Sequence, residues 1–123
     1  MLLLVSPEYK KEMYVSKKYD FDAVGSQVDI NNYDESKYPK FKNVKFYSVL
    51  LEPGDSIYIP KGWWHYVKSL DASISVSNFG YFLKEIFTTY ALLWIQVRLH
   101  MRGLYRTKQC TCHVLVDGKR VKA

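Results

Sequence analysis

Three stretches of this 123-residue chain hold side chains that could do chemistry. The first is His65, an imidazole in the aromatic and β-branched run Trp63-Trp64-His65-Tyr66-Val67, just past Pro60-Lys61-Gly62. Pro and Gly interrupt a strand and the run resumes it, so His65 is expected on a strand immediately after a turn. The second is Ser73, Ser75 and Ser77, which fall on one side of a strand whose other side carries Ile74 and Val76, because strand side chains alternate with period two. The third is Cys110-Thr111-Cys112-His113. Three soft donors within four residues invite a zinc reading, but structural zinc sites favour two to four residues between paired cysteines and four ligands in all. Here one residue intervenes and a fourth ligand would have to come from elsewhere, so the spacing argues against a metal.

The elements that must position these residues read as follows. Leu2 to Val5 is a short apolar strand. Ser6-Pro7-Glu8 starts a helix of one or two turns, with Ser as N-cap, Pro at the first position and an acid in the first turn. Tyr14 to Asn32 lacks sustained periodicity and reads as loop, with Gly25 as its bend. The stretch from Asn32 to Phe41 has room for one helical turn before Pro39. Phe46 to Leu51 is a strand expected to pair through the Pro53-Gly54-Asp55 turn with Ser56 to Ile59, Gly54 taking the positive φ of a type II turn. Ser73 to Ser77 is expected as a central strand, for four or five antiparallel strands between Leu2 and Phe79.

Beyond Gly80, apolar residues recur at helical spacing through Phe82, Ile86, Tyr90, Ala91, Leu93, Trp94, Val97 and Met101, which predicts one long helix from about Tyr81 to Leu104. Its uncharged core is too short for the roughly 20 residues that cross a bilayer. Two uses suit it, a cover for the sheet or a dimer contact; apolar residues on more than one face favour a partner. Asp117-Gly118 between Val114-Leu115-Val116 and Val121 signals a hairpin turn.

Composition sets the bounds. Hydrophobic residues at 48% and charged residues at 24% suit one ordinary core. The net charge of +6 comes from scattered lysines and a basic tail, which reads as a solvated face rather than a nucleic-acid site. An anionic partner for that surface is a third-ranked use. Met1 to Val5 lacks the basic flank and long apolar core of a signal peptide. Two cysteines one residue apart form no useful staple, which suits a reducing compartment.

Taken together, Glu52-Pro53-Gly54-Asp55, Ile57-Tyr58-Ile59-Pro60, Trp63-Trp64-His65, Val67 and Ser69-Leu70, followed by Ser73-Ile74-Ser75-Val76-Ser77, resemble the second cupin motif of the JmjC and cupin-8-like hydroxylases. That resemblance implies a mainly β fold, part of a double-stranded β-helix, followed by a C-terminal α-helix. It implies residues 1–80 as the C-terminal half of the domain, 81–106 as a helix packing on the sheet or forming a dimer, and 107–123 as a basic tail. It implies Fe(II) and 2-oxoglutarate as cofactors, with His65 as the distal iron ligand and Ser75, Ser77 or Asn78 lining the oxoacid cavity. Phe79 stands where many relatives carry Trp. Two imidazoles and one carboxylate hold Fe(II) and leave three positions for the oxoacid and dioxygen.

The family's His-x-Asp is absent, since the histidines read His65-Tyr66-Val67, His100-Met101-Arg102 and His113-Val114-Leu115. The oxoacid-binding lysine of the family lies on a strand upstream of the residue matching Met1. The nearest substitute carboxylates are Asp55 and Asp29. Expected from this is an incomplete oxygenase domain, inactive on its own, or else a degenerate cupin-like module for binding or oligomerisation. Its partner would be a second copy or a missing N-terminal half, its substrate of the family's protein side-chain or tRNA type, and its place intracellular, cytoplasmic or nuclear.

Overall fold

The apolar run Leu2–Val5 forms β1, and in the computed structural model, which describes residues 1–21 and 23–122, it is the centre of a three-stranded antiparallel sheet. β2 (Tyr47–Val49) lies on one side, with Leu2 opposite Val49 and Leu4 opposite Tyr47. β3 (Trp64–Val67) lies on the other, with Leu4 opposite His65 and Val5 opposite Trp64. A strand flanked on both edges has its backbone donors and acceptors paired, and Leu2, Leu4 and Val5 are buried accordingly.

Ser6 leaves β1 and accepts a 3.5 Å hydrogen bond from the Glu8 N–H, and Pro7 opens a 3-10 turn over Pro7–Lys11. Val5, Met13, Phe41 and Val44 form the buried core here, with Tyr9, Tyr14, Val28, Ile30, Tyr33, Tyr38 and Trp64 packed against it. This unit comprises Met1–Val15 and Ser26–Val76; the other comprises Ser16–Gly25 and Ser77–Ala123.

Mainly β architecture with small antiparallel sheets and one C-terminal helix agrees with the expected class. The detail of the strands does not. Neither Ser56 to Ile59 nor Ser73 to Ser77 joins a ladder, and β2 pairs with β1 instead of folding back through Pro53-Gly54. Ile74 and Val76 are 97% and 85% exposed. Alternation specifies which side of a strand is greasy but supplies no neighbour, and without a paired backbone or a covered face these stretches stay extended and unladdered. The turns themselves form as read: the Asp55 N–H donates to the Glu52 carbonyl at 3.0 Å with Gly54 at φ 93°, and the Trp63 N–H donates to the Pro60 carbonyl at 3.2 Å with Gly62 at φ 87°.

The second unit holds the helix, which runs as α1 (Leu83–Glu85), a π-helical turn (Ile86–Tyr90) and α2 (Ala91–Met101). Glu85 caps its start, its carboxylate accepting the Phe82 N–H at 3.1 Å. The other end closes with both bonds of a Schellman motif: Gly103 N–H to the His100 carbonyl at 2.9 Å and Leu104 N–H to the Leu99 carbonyl at 2.9 Å, Gly103 supplying φ 78°. Among the described residues no helix is long and apolar enough to cross a membrane. The predicted hairpin follows as β4 (His113–Val116) and β5 (Lys119–Lys122), with Asp117 and Gly118 at φ 50° and 75° in the turn.

Candidate functional site

His65 is where its local sequence puts it, the second residue of β3 directly after the Pro60 to Trp63 turn. Its side chain is exposed, while Trp64 and Tyr66 on the opposite side are half-buried and Tyr66 accepts a 2.9 Å hydrogen bond from the Asn31 amide. Ser75 is exposed on the extended stretch of the same unit, and Ser77 and Asn78, also exposed, belong to the other unit. Asp55 is engaged in its own turn, its carboxylate accepting the Glu52 N–H at 2.9 Å, and Asp29 accepts the Asn31 N–H at 2.9 Å. Among the described residues, no group of three His, Cys, Asp or Glu side chains includes His65. The described residues therefore bring no second histidine and carboxylate to His65.

A different set of donors does converge. His100, Cys110, Cys112 and His113 each offer one ligand atom, and the four atoms all lie within 4.8 Å of one another. His100 comes from the last turn of α2, the cysteines from the loop that follows, and His113 from the first position of β4. The loop is held by Tyr19, whose N–H donates to the Gln109 carbonyl at 2.9 Å and whose carbonyl accepts the Thr111 N–H at 3.1 Å. The Thr111 hydroxyl adds a 2.6 Å bond to the Asp20 carboxylate, and the Arg106 guanidinium donates to the Lys17 carbonyl at 2.9 Å.

Tyr19 also roofs the cluster, its ring 4.5 Å from that of His100 and 5.6 Å from that of Tyr105. Burial pushes its phenol above the usual value, with Tyr105 and Cys112 adding to the rise and Arg106 opposing it. The sequence argues against a metal on two grounds, one residue between the cysteines instead of two to four and no fourth donor; the fold supplies the fourth in His100, and the short spacing stands. The signal for His100 was present, since a helix ending near Leu104 places it in the last turn, one short connection away from Cys110.

The comparisons bear on the other unit's motif. The cupin-like domain family model matches residues 1–83. A lysine-specific demethylase of Arabidopsis thaliana is 52% identical over 52 residues, covering 42% of this chain and 12% of that protein. Lysine-specific demethylase 8 of Xenopus tropicalis is 42% identical over 65 residues, covering 50% of this chain and 15% of its own length. Jumonji C domain-containing protein 5 of Drosophila melanogaster is 40% identical over 76 residues, covering 62% and 19%. The chain thus spans less than a fifth of each of these relatives. The match takes in all of β1, β2 and β3 and both glycine turns around the His65 strand, and on that extent the chain belongs to the cupin-like domain family.

Proposed function

We propose that this chain supplies the C-terminal part of a JmjC-type, Fe(II)- and 2-oxoglutarate-dependent oxygenase domain and does not turn over the oxoacid by itself. The observation that carries the reading is His65: it stands exposed on β3 inside the matched region, and among the described residues no other two metal donors join it. In this reading His65 is one of three iron ligands, the other two coming from a segment with His-x-Asp, and Ser75, Ser77 or Asn78 faces the oxoacid. Bound iron would supply oxidative chemistry on a C–H bond; the demethylase names of the relatives favour a protein side chain as substrate. A cytoplasmic or nuclear place goes with that substrate class.

The test is Mn(II) titration and 2-oxoglutarate consumption, first with the chain alone and then with the chain fused to an upstream segment bearing His-x-Asp and a lysine strand. Turnover only in the fusion, abolished by His65→Ala, supports the reading. A fusion that folds, binds metal through other residues and gives no turnover favours the alternative, a non-catalytic cupin-like module for binding or oligomerisation. The exposed apolar residues Phe82, Leu83, Phe87 and Leu92 of the helical segment lend that alternative its support.

A further inference from the structure

We propose that His100, Cys110, Cys112 and His113 bind one Zn2+ in a closed, four-coordinate site that ties the end of α2, the loop after it and β4 into one unit. The site lies outside the residues matched by the cupin-like family and is separate from the one assigned to His65.

Geometry is the first support. Zinc bonds of about 2.3 Å to sulfur and 2.0–2.1 Å to nitrogen put tetrahedral ligand atoms roughly 3.3–3.8 Å apart. Here His100 Nε2 is 3.2 Å from Cys112 Sγ, His113 Nδ1 is 3.2 Å from Cys112 Sγ, and His113 Nδ1 is 3.6 Å from Cys110 Sγ. The remaining separations are all within 4.8 Å, so small side-chain shifts, the two 3.2 Å contacts lengthening slightly, bring the four atoms to these spacings. A two-iron cluster needs two ligand pairs held apart across its sulfide bridge, whereas four donors this close suit a single ion. Two thiolates and two imidazoles in tetrahedral array are a zinc donor set.

The second support is the orientation of His100. It is fully buried, and its Nδ1 lies 2.8 Å from the Tyr105 carbonyl oxygen, which can only accept. That bond places the proton of the neutral ring on Nδ1 and leaves the Nε2 lone pair directed at Cys112, the arrangement by which backbone carbonyls orient metal-binding histidines.

The third is the scarcity of core. Below about 70 residues a single apolar core rarely suffices, and small units add a disulfide or a metal. Among the described residues of this unit only Tyr19 and His100 are buried, and neither cysteine is in a disulfide. The cluster sits where a staple would do most, joining the end of α2, the loop after it and the start of β4.

The experiment uses the full chain purified under reducing conditions, with metal content measured and Co2+ then exchanged in as a spectroscopic probe. Expected are one zinc per chain, intense visible bands of tetrahedral Co2+ with sulfur-to-metal charge transfer, and loss of binding in Cys112→Ser and in His100→Ala. Binding should survive in His65→Ala. Chelation should also raise amide exchange at Val114, Val116 and Val121 in the hairpin. Because the cobalt spectrum is taken on the unsubstituted protein, it stands even if a variant fails to fold. Absence of zinc with a six-coordinate cobalt spectrum would overturn the site, as would zinc lost on His65→Ala, or a reductant-sensitive mass two hydrogens lower that shows the cysteines joined to each other.

Discussion

The carbonyl oxygen of Tyr105 lies 2.8 Å from Nδ1 of His100, five residues back along the chain. It can reach because Gly103, at φ 78°, reverses the backbone immediately after α2. An L-residue there would pay roughly 1–2 kcal/mol for the left-handed conformation. Gly103→Ala should therefore weaken zinc binding about five- to thirtyfold by that cost, leaving stoichiometry at one, as read by competition with a chromophoric chelator. An unchanged affinity would mean that the helix end does not position His100.

Phe41 is the corresponding keystone of the cupin-like unit. It is buried, with its ring edge-on to Tyr33 at 4.9 Å and to Phe46 at 5.7 Å. Truncating a buried Phe to Ala costs about 3–5 kcal/mol through lost transfer energy and the cavity left behind. Phe41→Ala should lower the unfolding free energy by that much or abolish the denaturation transition, while Phe46→Ala, at a more exposed position, should cost less. Equal losses for the two would contradict the core described here.

What could be read from the sequence was local. The two glycine turns around Gly54 and Gly62, the Ser6-Pro7 helix start, the Asp117-Gly118 hairpin and the long helix each depend on a few adjacent residues, and each is present. What needed a distant partner was not legible. The strand expected over Ser73 to Ser77 has the right alternation but no neighbouring strand, and β2 pairs with β1, more than forty positions away, instead of its sequence neighbour. The fourth donor of the His/Cys cluster stands between these cases: Cys110, Cys112 and His113 are visible as a motif and the predicted helix end leaves His100 one short connection away, but its approach to the cysteines comes from the fold of the helix end.

Asp34 gives a pH dependence with a definite sign. Its carboxylate accepts the Ser36 hydroxyl at 2.6 Å and the Ser36 and Lys37 N–H groups, and these bonds, the Ser36 hydroxyl first, hold its pKa below the usual carboxylate range. A group whose pKa is lower folded than unfolded binds its proton more readily when unfolded, so its stabilisation is complete above the unfolded value and fades as pH falls through the folded one. Asp34→Ala should be destabilising at neutral pH, and the gap from the unsubstituted chain should narrow below about pH 4. Melting curves across that range decide it, and a gap independent of pH would refute the assignment.

The exposed apolar surface makes the last prediction. Ile74 and Val76 are almost fully exposed in the cupin-like unit, and a soluble domain seldom leaves such contiguous greasy stretches open to water. The extended stretch that carries them joins no ladder and so also presents backbone donors and acceptors to any extended chain. The isolated protein should therefore bind a hydrophobic dye and self-associate in light scattering. The double substitution Ile74→Asp with Val76→Asp should reduce both, since a buried charge without a partner opposes any contact that covers those side chains. Fusion to an upstream segment bearing His-x-Asp and a lysine strand should, on the proposed function, reduce them too, but through cover rather than repulsion, and would then make the same double substitution strongly destabilising where it is nearly neutral in the isolated chain. If the isolated chain is a monomer that binds no dye, these residues are already covered in solution; if the fusion tolerates both aspartates, Ile74 and Val76 do not face the fused segment.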